Sequence, residues 1–415
     1  MIAELISVGT ELLMGQVLNT DAQFMAQKLA PLGVNVYHQV TVGDNPQRLK
    51  DAVSTALSRA DIVILSGGLG PTGDDLTKQT IADLFELPME RDMESEQTLR
   101  ARFAAFRREM TPNNLKQVDF PKGSIILKNA NGTAPGCIVP YGDKAAILLP
   151  GPPSELFPMF ENEVMPYLEV RSGYKLYSRE LRIFGMGESA VEYILQDLMD
   201  AQDNPTIAPY AKTGETTLRV TARCATEKEG VALVTPVIDA IKARIGDVVY
   251  STEGVTLAGT CASLLEERGL TLAVAESCTG GMISSTLVDI PGSSVFFMEG
   301  AVTYSDAAKM RRLGVSSATL RKYGAVSEEC AREMAAGMRK TSGVDYALAT
   351  TGIAGPGGAT KEKPVGLVYV ALASNQEVIV KKLHLTGNRT RVREVTVLHA
   401  LDVLRRALLE LPQTE

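Results

Sequence analysis

This sequence predicts an α/β protein whose N-terminal part is a doubly wound, mostly parallel sheet. Two observations carry that reading. Short apolar runs (residues 2–8, Val34 to Val42 and Asp61-Ile62-Val63-Ile64-Leu65) alternate with stretches of helical spacing. Each run ends in a turn of small residues: Gly9-Thr10-Glu11-Leu12-Leu13, Gly43-Asp44-Asn45-Pro46, and Ser66 through Asp75. Ligands of such sheets gather beyond the carboxyl ends of the strands, so the three turns are expected to converge on one pocket.

The bulk numbers set the class. The chain has 415 residues, 45% hydrophobic and 22% charged, which is ordinary for a globular protein of two or three domains. A formal net charge of −7 argues against duplex nucleic acid or an anionic membrane as the main partner. The start Met1-Ile2-Ala3-Glu4 reads as a strand rather than a signal peptide, and no run approaches membrane-spanning length. Five scattered cysteines without paired metal-ligand spacing fit free thiols in a reducing cytoplasm.

Along the chain, Asn19-Thr20-Asp21 caps a helix running to about Leu32, and Pro46 opens the next helix. The buried run at 61–65 feeds Gly67, Gly68 and Gly70, followed by a helix from about Leu76. Those glycines let backbone amides approach and cradle phosphate oxygens, while Asp44, Asp74 and Asp75 are hard donors for a divalent cation. Tight turns and helix caps are the alternative, because a glycine-rich turn alone is a weak signal. Two further turns, Asn131-Gly132-Thr133-Ala134-Pro135-Gly136 and Pro150-Gly151-Pro152-Pro153-Ser154-Glu155, either line the same cleft or punctuate the surface. Near Glu169–Tyr174 the pattern changes to a small α+β unit: a strand at 175–184, a helix at 188–200, a half-exposed strand at 216–224 and a helix at 228–245. Its Gly185-Met186-Gly187-Glu188 turn lacks the positive charge that a phosphate backbone requires, so a spacer or dimerisation role is expected.

A third part begins near Thr256. The run Leu270-Thr271-Leu272-Ala273-Val274 leads into Ala275-Glu276-Ser277-Cys278-Thr279-Gly280-Gly281 and a helix from Met282. A hydroxyl and a thiol are thus presented where a helix begins, a place suited to stabilising an oxyanion, although Ser and Thr also serve there as plain caps. Tyr304, Ser305 and Asp306-Ala307-Ala308-Lys309 follow an apolar stretch from Val295. The strand Val344 to Thr350 ends in Thr351-Gly352-Ile353-Ala354-Gly355-Pro356-Gly357-Gly358. Strands at 366–373 and 377–385 then precede a helix from about Thr390 to Leu411.

A serine nucleophile needs a base. In this half only His384 and His399 are present, neither with an evident acidic partner, so a Ser-His-Asp triad is not expected. A desolvated lysine is the alternative base, and Lys309 beside Ala307 and Ala308 is placed for partial burial; a solvated surface lysine is the competing reading. Cys278 is the competing nucleophile, its pKa expected to be lowered by the helix start. Arg389, Arg391 and Arg393 either meet a phosphate or form a solvated helix start.

The Gly67–Asp75 loop with Gly9-Thr10-Glu11-Leu12-Leu13 upstream resembles the molybdopterin-binding-like N-terminal domain of the CinA (competence/damage-inducible) family. The motifs at 275–281, at Thr303-Tyr304-Ser305 with Lys309, and at 351–358 resemble that family's C-terminal domain, the nicotinamide-nucleotide (NMN) deamidase. The resemblance implies three domains at 1–169, 170–252 (KH-like) and 253–415, and a cytoplasmic, homodimeric enzyme of pyridine-nucleotide recycling. It implies hydrolysis of NMN to nicotinate mononucleotide and ammonia, with Ser277 as nucleophile, Lys309 as base and Tyr304 as their partner. Cys278, Thr279, Gly280, Thr351, Gly352, Ala354, Gly355, Gly357, Gly358 and Arg389 would form the oxyanion and substrate site, without a cofactor. In the N-terminal domain it implies ADP-ribose cleaved to AMP and ribose 5-phosphate. The substrate would be held by Glu11, Asn19, Asp21, Gly67, Gly68, Gly70, Pro71, Thr72, Gly132, Pro150 and Gly151. A divalent metal (Mg, Mn or Co) would sit near Asp44 and Asp75. Asp306 stands where the family is associated with Asn, and its carboxylate would favour the charged form of Lys309. Two other readings stay open: an N-terminal domain that only senses a nucleotide or pterin, and a nucleic-acid-associated competence factor.

Overall fold

The computed structural model describes residues 1–413, and the chain divides into two compact units. The first comprises Met1–Ser178 with Ala222–Ala232, and the second comprises Arg179–Thr221 with Leu233 onward.

The first unit is built on β1 (Ile2–Val8), β2 (Asn35–Val42), β3 (Ile62–Ser66), the short pair β4 (Met89–Arg91) and β5 (Asp119–Pro121), and β6 (Ile125–Leu127), β7 (Gly136–Tyr141) and β8 (Lys144–Leu149). Its main sheet has the order β2-β1-β3-β8-β7-β6, parallel through β8 and antiparallel beyond it. The reversal is made by a two-residue link whose first residue, Gly142, has φ +63°, a conformation that costs other residues a clash. Both faces are covered. Ile62 and Ile64 of β3 enter a core with Met25, Leu29 and Phe160, while Val63 and Leu65 enter another with Val53 and Ile81. A strand buried on both sides reads as a continuous apolar run, which is why 61–65 is recognisable in the sequence. The helix Thr20–Leu29 starts where expected, with the Asn19 side chain accepting from the Ala22 amide. Gly9 to Leu13 is not a plain turn: Thr10–Leu13 forms one helical turn, with Asp44 accepting from the Thr10 amide and hydroxyl.

The second unit carries most of β9 (Lys175–Ile183) and β11 (Glu215–Cys224), apart from ends that fall within the first unit's bounds, with β10 (Thr206–Lys212) and β12 (Val249–Ser251), in the order β10-β11-β9-β12. It also carries β13 (Leu272–Glu276), β14 (Phe297–Val302), β15 (Tyr346–Gly352), β16 (Leu367–Ala373) and β17 (Val378–His384) in the order β14-β13-β15-β16-β17. The first three of that order pair in parallel, and β16 and β17 are antiparallel. The long C-terminal helix is Arg389–Leu408, ending a turn earlier than expected. Neither β10 nor the strands between Met89 and Leu149 are evident in the sequence pattern.

Two faces of this five-stranded sheet differ in side-chain size. Leu272, Val274, Leu348, Val370 and Leu372 meet the helices Leu257–Arg268 and Arg389–Leu408. Ala273, Ala275, Ala347, Ala349, Ala371 and Ala373 face Met334, Ala335 and Met338 of the helix Glu328–Ser342. Small residues let that helix lie close to the sheet, and it in turn carries the helix Asp306–Leu313. At Gly337 a Cβ would collide with the backbone carbonyl of Leu313. Glycine to alanine inside a helix ordinarily stabilises by about 1 kcal/mol. Here overpacking against backbone wins, and Gly337→Ala is expected to destabilise by roughly 1–3 kcal/mol, read as a fall in the chemical-denaturation midpoint.

Candidate active site and candidate nucleotide cavity

Ser277 is the first residue past β13, and its amide donates to the Thr350 carbonyl on neighbouring β15 at 3.0 Å. The sheet therefore fixes where the hydroxyl starts from. Lys309 lies one turn into the helix Asp306–Leu313, whose start is capped by the Ser305 hydroxyl accepting from the Ala308 amide. Lys309 is only 1% exposed. Its Nζ lies 3.0 Å from Ser277 Oγ, 2.9 Å from the Thr303 carbonyl and 3.2 Å from the Tyr304 carbonyl. Burial holds this amine below the usual lysine range, and the opposing pull of Cys330 and Asp306 does not reverse the direction. Asp306 thus favours the charged form, as its sequence position implied, but desolvation dominates. When charged, the amine donates to Ser277 Oγ and to both carbonyls; when neutral, the form that burial shifts it toward, the two carbonyls can take its two N–H groups and the lone pair can face the serine hydroxyl.

The turn after Ser277 differs from the expectation in three respects. First, the start of the helix Met282–Val288 is already filled by an anion of the chain itself. Glu276, fully buried, accepts from the amides of Gly281, Ile283 and Ser284 at 2.9–3.1 Å and from the Ser284 hydroxyl at 2.7 Å. The amides left to meet an oxyanion are those before it, Cys278 to Gly280, in a backbone bent by positive φ at Gly280 and Gly281. Second, the Cys278 thiol is not activated: burial pushes it up to about 11. The helix start was expected to lower it, but Glu276 occupies that field and desolvation decides the sign. Third, the Tyr304 side chain points into solvent, 63% exposed, and its hydroxyl lies 3.5 Å from Arg389. Tyr304 serves Lys309 through its carbonyl, not its phenol.

Other predicted residues are drawn to the same place. Thr279 and Thr350 share a hydroxyl–hydroxyl bond of 2.7 Å, and Arg393 donates to the Thr279 carbonyl at 2.7 Å. Arg389 donates to the Gly355 carbonyl at 2.8 Å, tying the 351–358 loop to the start of the last helix. Thr351 is buried and donates to the Ala325 carbonyl, Ala354 is buried in the core, and Gly357 and Gly358 are exposed. His399 packs edge-on against Phe184, and burial lowers its pKa to about 4, so it is a structural residue.

In the first unit the turns after β1, β2 and β3 do converge, on a cavity of about 600 Å³. Glu11, Asn19, Asp21, Asp44, Gly67, Gly68, Gly70, Pro71, Asp75, Pro150 and Gly151 all line it. Thr72 and Gly132 do not. Thr72 is bound to Asp75 through amide and hydroxyl, and Gly132 lines a separate cavity of about 490 Å³ beside Arg102 and Lys128. Among the described residues no three His, Cys, Asp or Glu side chains form a ready-made metal cage. Asp44 and Asp75 both line the cavity, and each already accepts from a threonine, Asp44 from the Thr10 amide and hydroxyl and Asp75 from those of Thr72. Asp21 stands apart: its Oδ1 is buried without a hydrogen-bond partner, and burial raises its pKa to about 6.

The sequence reading passed over Glu276, Thr303, Lys78 and Gln117 as site residues. Glu276 sits inside a motif noted for its hydroxyl and thiol. Gln117 lies in a short irregular helix, Pro112–Val118, with no glycine, charge pair or periodicity to mark it.

Comparison with known proteins accords with this geometry. Residues 4–170 match the family described as probable molybdopterin binding domain, 178–251 the damage-inducible protein CinA KH domain, and 255–408 the CinA C-terminal domain. A competence-damage inducible protein of Acetivibrio thermocellus is 49% identical over 409 residues, covering 99% of both chains. The chain belongs to the CinA family. A second member, from Clostridium beijerinckii, is 50% identical over 98% of this chain and all of its own. Among solved structures, the competence/damage inducible protein CihA from Agrobacterium tumefaciens is 42% identical, covers 37% of this chain and 93% of its own, and has a TM-score of 0.36. No helix among the described residues is long and apolar enough to cross a membrane.

The raised Asp21 pKa has a stability consequence of definite sign. In the folded state the neutral acid is favoured, so its destabilising contribution is absent below about pH 4, builds as pH rises toward about 6 and is complete above that. Asp21→Asn is expected to stabilise the protein by about 1 kcal/mol at pH 7.5, discounted for partial exposure, and to have no effect at pH 4. Denaturant titrations at the two pH values check this.

Proposed function

We propose that this CinA-family chain is a bifunctional hydrolase of pyridine-nucleotide recycling: an amidase on NMN in its C-terminal domain and a metal-dependent pyrophosphatase on ADP-ribose in its N-terminal domain. The observation that carries the first activity is the buried Lys309 amine 3.0 Å from Ser277 Oγ, with the carbonyls of Thr303 and Tyr304 also within hydrogen-bond distance of it. The Ser277 oxygen attacks the carboxamide carbon as its proton passes to Lys309. The tetrahedral oxyanion meets the amides of Cys278 to Gly280. Lys309 returns the proton to the leaving nitrogen, the C–N bond breaks and ammonia departs, leaving an ester on Ser277. Water then attacks that ester with Lys309 again accepting the proton, and release of the carboxylic acid restores the serine. Arg389 and the 351–358 loop stand near the nucleotide, arginine being suited to its phosphate.

In the N-terminal cavity the glycine amides at 67, 68 and 70 would cradle the two phosphates, with Asp44 and Asp75 holding a divalent cation among them. Bound there, the metal supplies neutralisation of charge on the pyrophosphate oxygens.

Ammonia release from NMN tests the amidase. Ser277→Ala and Lys309→Arg are expected to lose at least about 10²- to 10⁴-fold in kcat, the scale of a missing general base, since arginine stays protonated. Cys278→Ala should retain activity within a few-fold; loss in that variant with Ser277→Ala active would reverse the assignment. Lys309 acts only when neutral, so kcat is expected to fall as pH is lowered through its pKa, which lies below the ordinary lysine value. For the pyrophosphatase, AMP should appear from ADP-ribose only with added Mg²⁺, Mn²⁺ or Co²⁺, and Asp75→Ala should abolish it; binding without AMP release would reduce this domain to a sensor.

A further inference from the structure

Glu276 is fully buried and immediately precedes Ser277. A carboxylate in such a place is costly unless donors answer it, and here four come from the start of the next helix. Its Oε2 accepts from the amides of Gly281 and Ile283 at 2.9 and 3.1 Å, and its Oε1 from the amide and hydroxyl of Ser284 at 2.9 and 2.7 Å. A Ser, Thr, Asp or Asn at the cap position ordinarily does this. The helix Met282–Val288 has Gly281 there, at φ +93° and without a side-chain cap, so the cap arrives from the last residue of β13. Residues 277–280 are thereby closed into a short loop. The Ser277 amide anchors one end to the sheet through the Thr350 carbonyl, and the carboxylate anchors the other. The Glu276 backbone also reaches the base: its carbonyl accepts from the Thr303 amide at 2.8 Å, and the Thr303 carbonyl accepts from Lys309 at 2.9 Å.

We propose that Glu276 is a positioning residue of the amidase, its carboxylate holding the 277–281 turn in the shape in which the amides of Cys278 to Gly280 receive the oxyanion. This inference rests on the amidase reading and adds what that site requires besides Ser277 and Lys309. The requirement is for acceptors on both sides of one group. A carboxylate offers lone pairs only, whereas a glutamine amide has one oxygen and an NH₂ that donates. Whichever way that amide is turned, at least one backbone N–H of Gly281, Ile283 or Ser284 confronts another donor. The turn then gives way, and a displaced oxyanion site costs the transition state while leaving the bound substrate's other contacts as they were.

The test assays the full chain on NMN and on inhibition by the aldehyde counterpart of NMN. Ser277 Oγ adds to the aldehyde carbon as its proton passes to Lys309, and the tetrahedral adduct has no leaving group to expel. Its oxygen takes the oxyanion position, so the aldehyde Ki reads the turn directly, and neither Ki nor KM depends on the folded fraction. Glu276→Gln is expected to lose about 10²-fold in kcat, to raise the aldehyde Ki by a similar factor, and to keep KM for NMN within about 3-fold. Ser284→Ala removes one of the four bonds and should move kcat and Ki the same way by about 2- to 10-fold; it decides the matter if Glu276→Gln does not fold. If kcat falls while the aldehyde Ki stays at its wild-type value, Glu276 only stabilises the fold and the proposal fails, with the amidase reading intact. A change in KM alone, or wild-type behaviour in both variants, overturns it equally. If the wild type releases no ammonia from NMN, the amidase reading falls and takes this inference with it.

Discussion

The C-terminal domain depends on one act of desolvation. An ammonium group kept from water loses much of the hydration that stabilises its charge, and at Lys309 the sheet and two helices impose that loss. The carbonyls of Thr303 and Tyr304 then take the amine's hydrogens and Ser277 faces what remains. Alanines along one face of the sheet and the absence of a side chain at Gly337 let the supporting helices come close enough to hold the amine there. Packing and chemistry at this site are the same fact seen at two scales.

Charge is handled in a similar way beside it. The carboxylate of Glu276 fills the helix start that follows Ser277, so that local anion-binding position is used for structure. That arrangement fixes the 277–281 turn with four hydrogen bonds to one side chain, and it removes the field that would have activated Cys278. Burial keeps the thiol protonated, while the Ser277 hydroxyl has the buried Lys309 amine 3.0 Å away.

Not every buried polar atom is satisfied. Residues lining the first unit's cavity carry two buried acceptors without a hydrogen-bond partner, Oδ1 of Asp21 and Oε1 of Gln117, and in the second unit the Thr303 hydroxyl beside Lys309 is unpaired too. Strain of this kind persists where the surrounding structure over-determines it and a ligand relieves it. Such positions are where stability is given up for recognition.

Much of this was legible in the chain itself. The doubly buried strand at 62–66, the Asn19 cap and the convergence of three turns follow from hydrophobic period, cap chemistry and the rule that parallel strands place their loops on one side. Ser277 and Lys309 were nameable only through the resemblance of their motifs to the CinA C-terminal domain, since on the residues alone a capping serine and a surface lysine competed. What only the tertiary structure decided is the partner of each group: that Tyr304 contributes a carbonyl while its phenol faces solvent, that Glu276 occupies the helix start, that Cys278 is buried into inertness, and that unremarkable Gln117 lines the cavity. Local sequence sets which elements form, since period and caps act over a few residues. Desolvation and hydrogen-bond pairing depend on atoms far away in the chain, 114 residues apart between Arg393 and Thr279, and no local pattern encodes them.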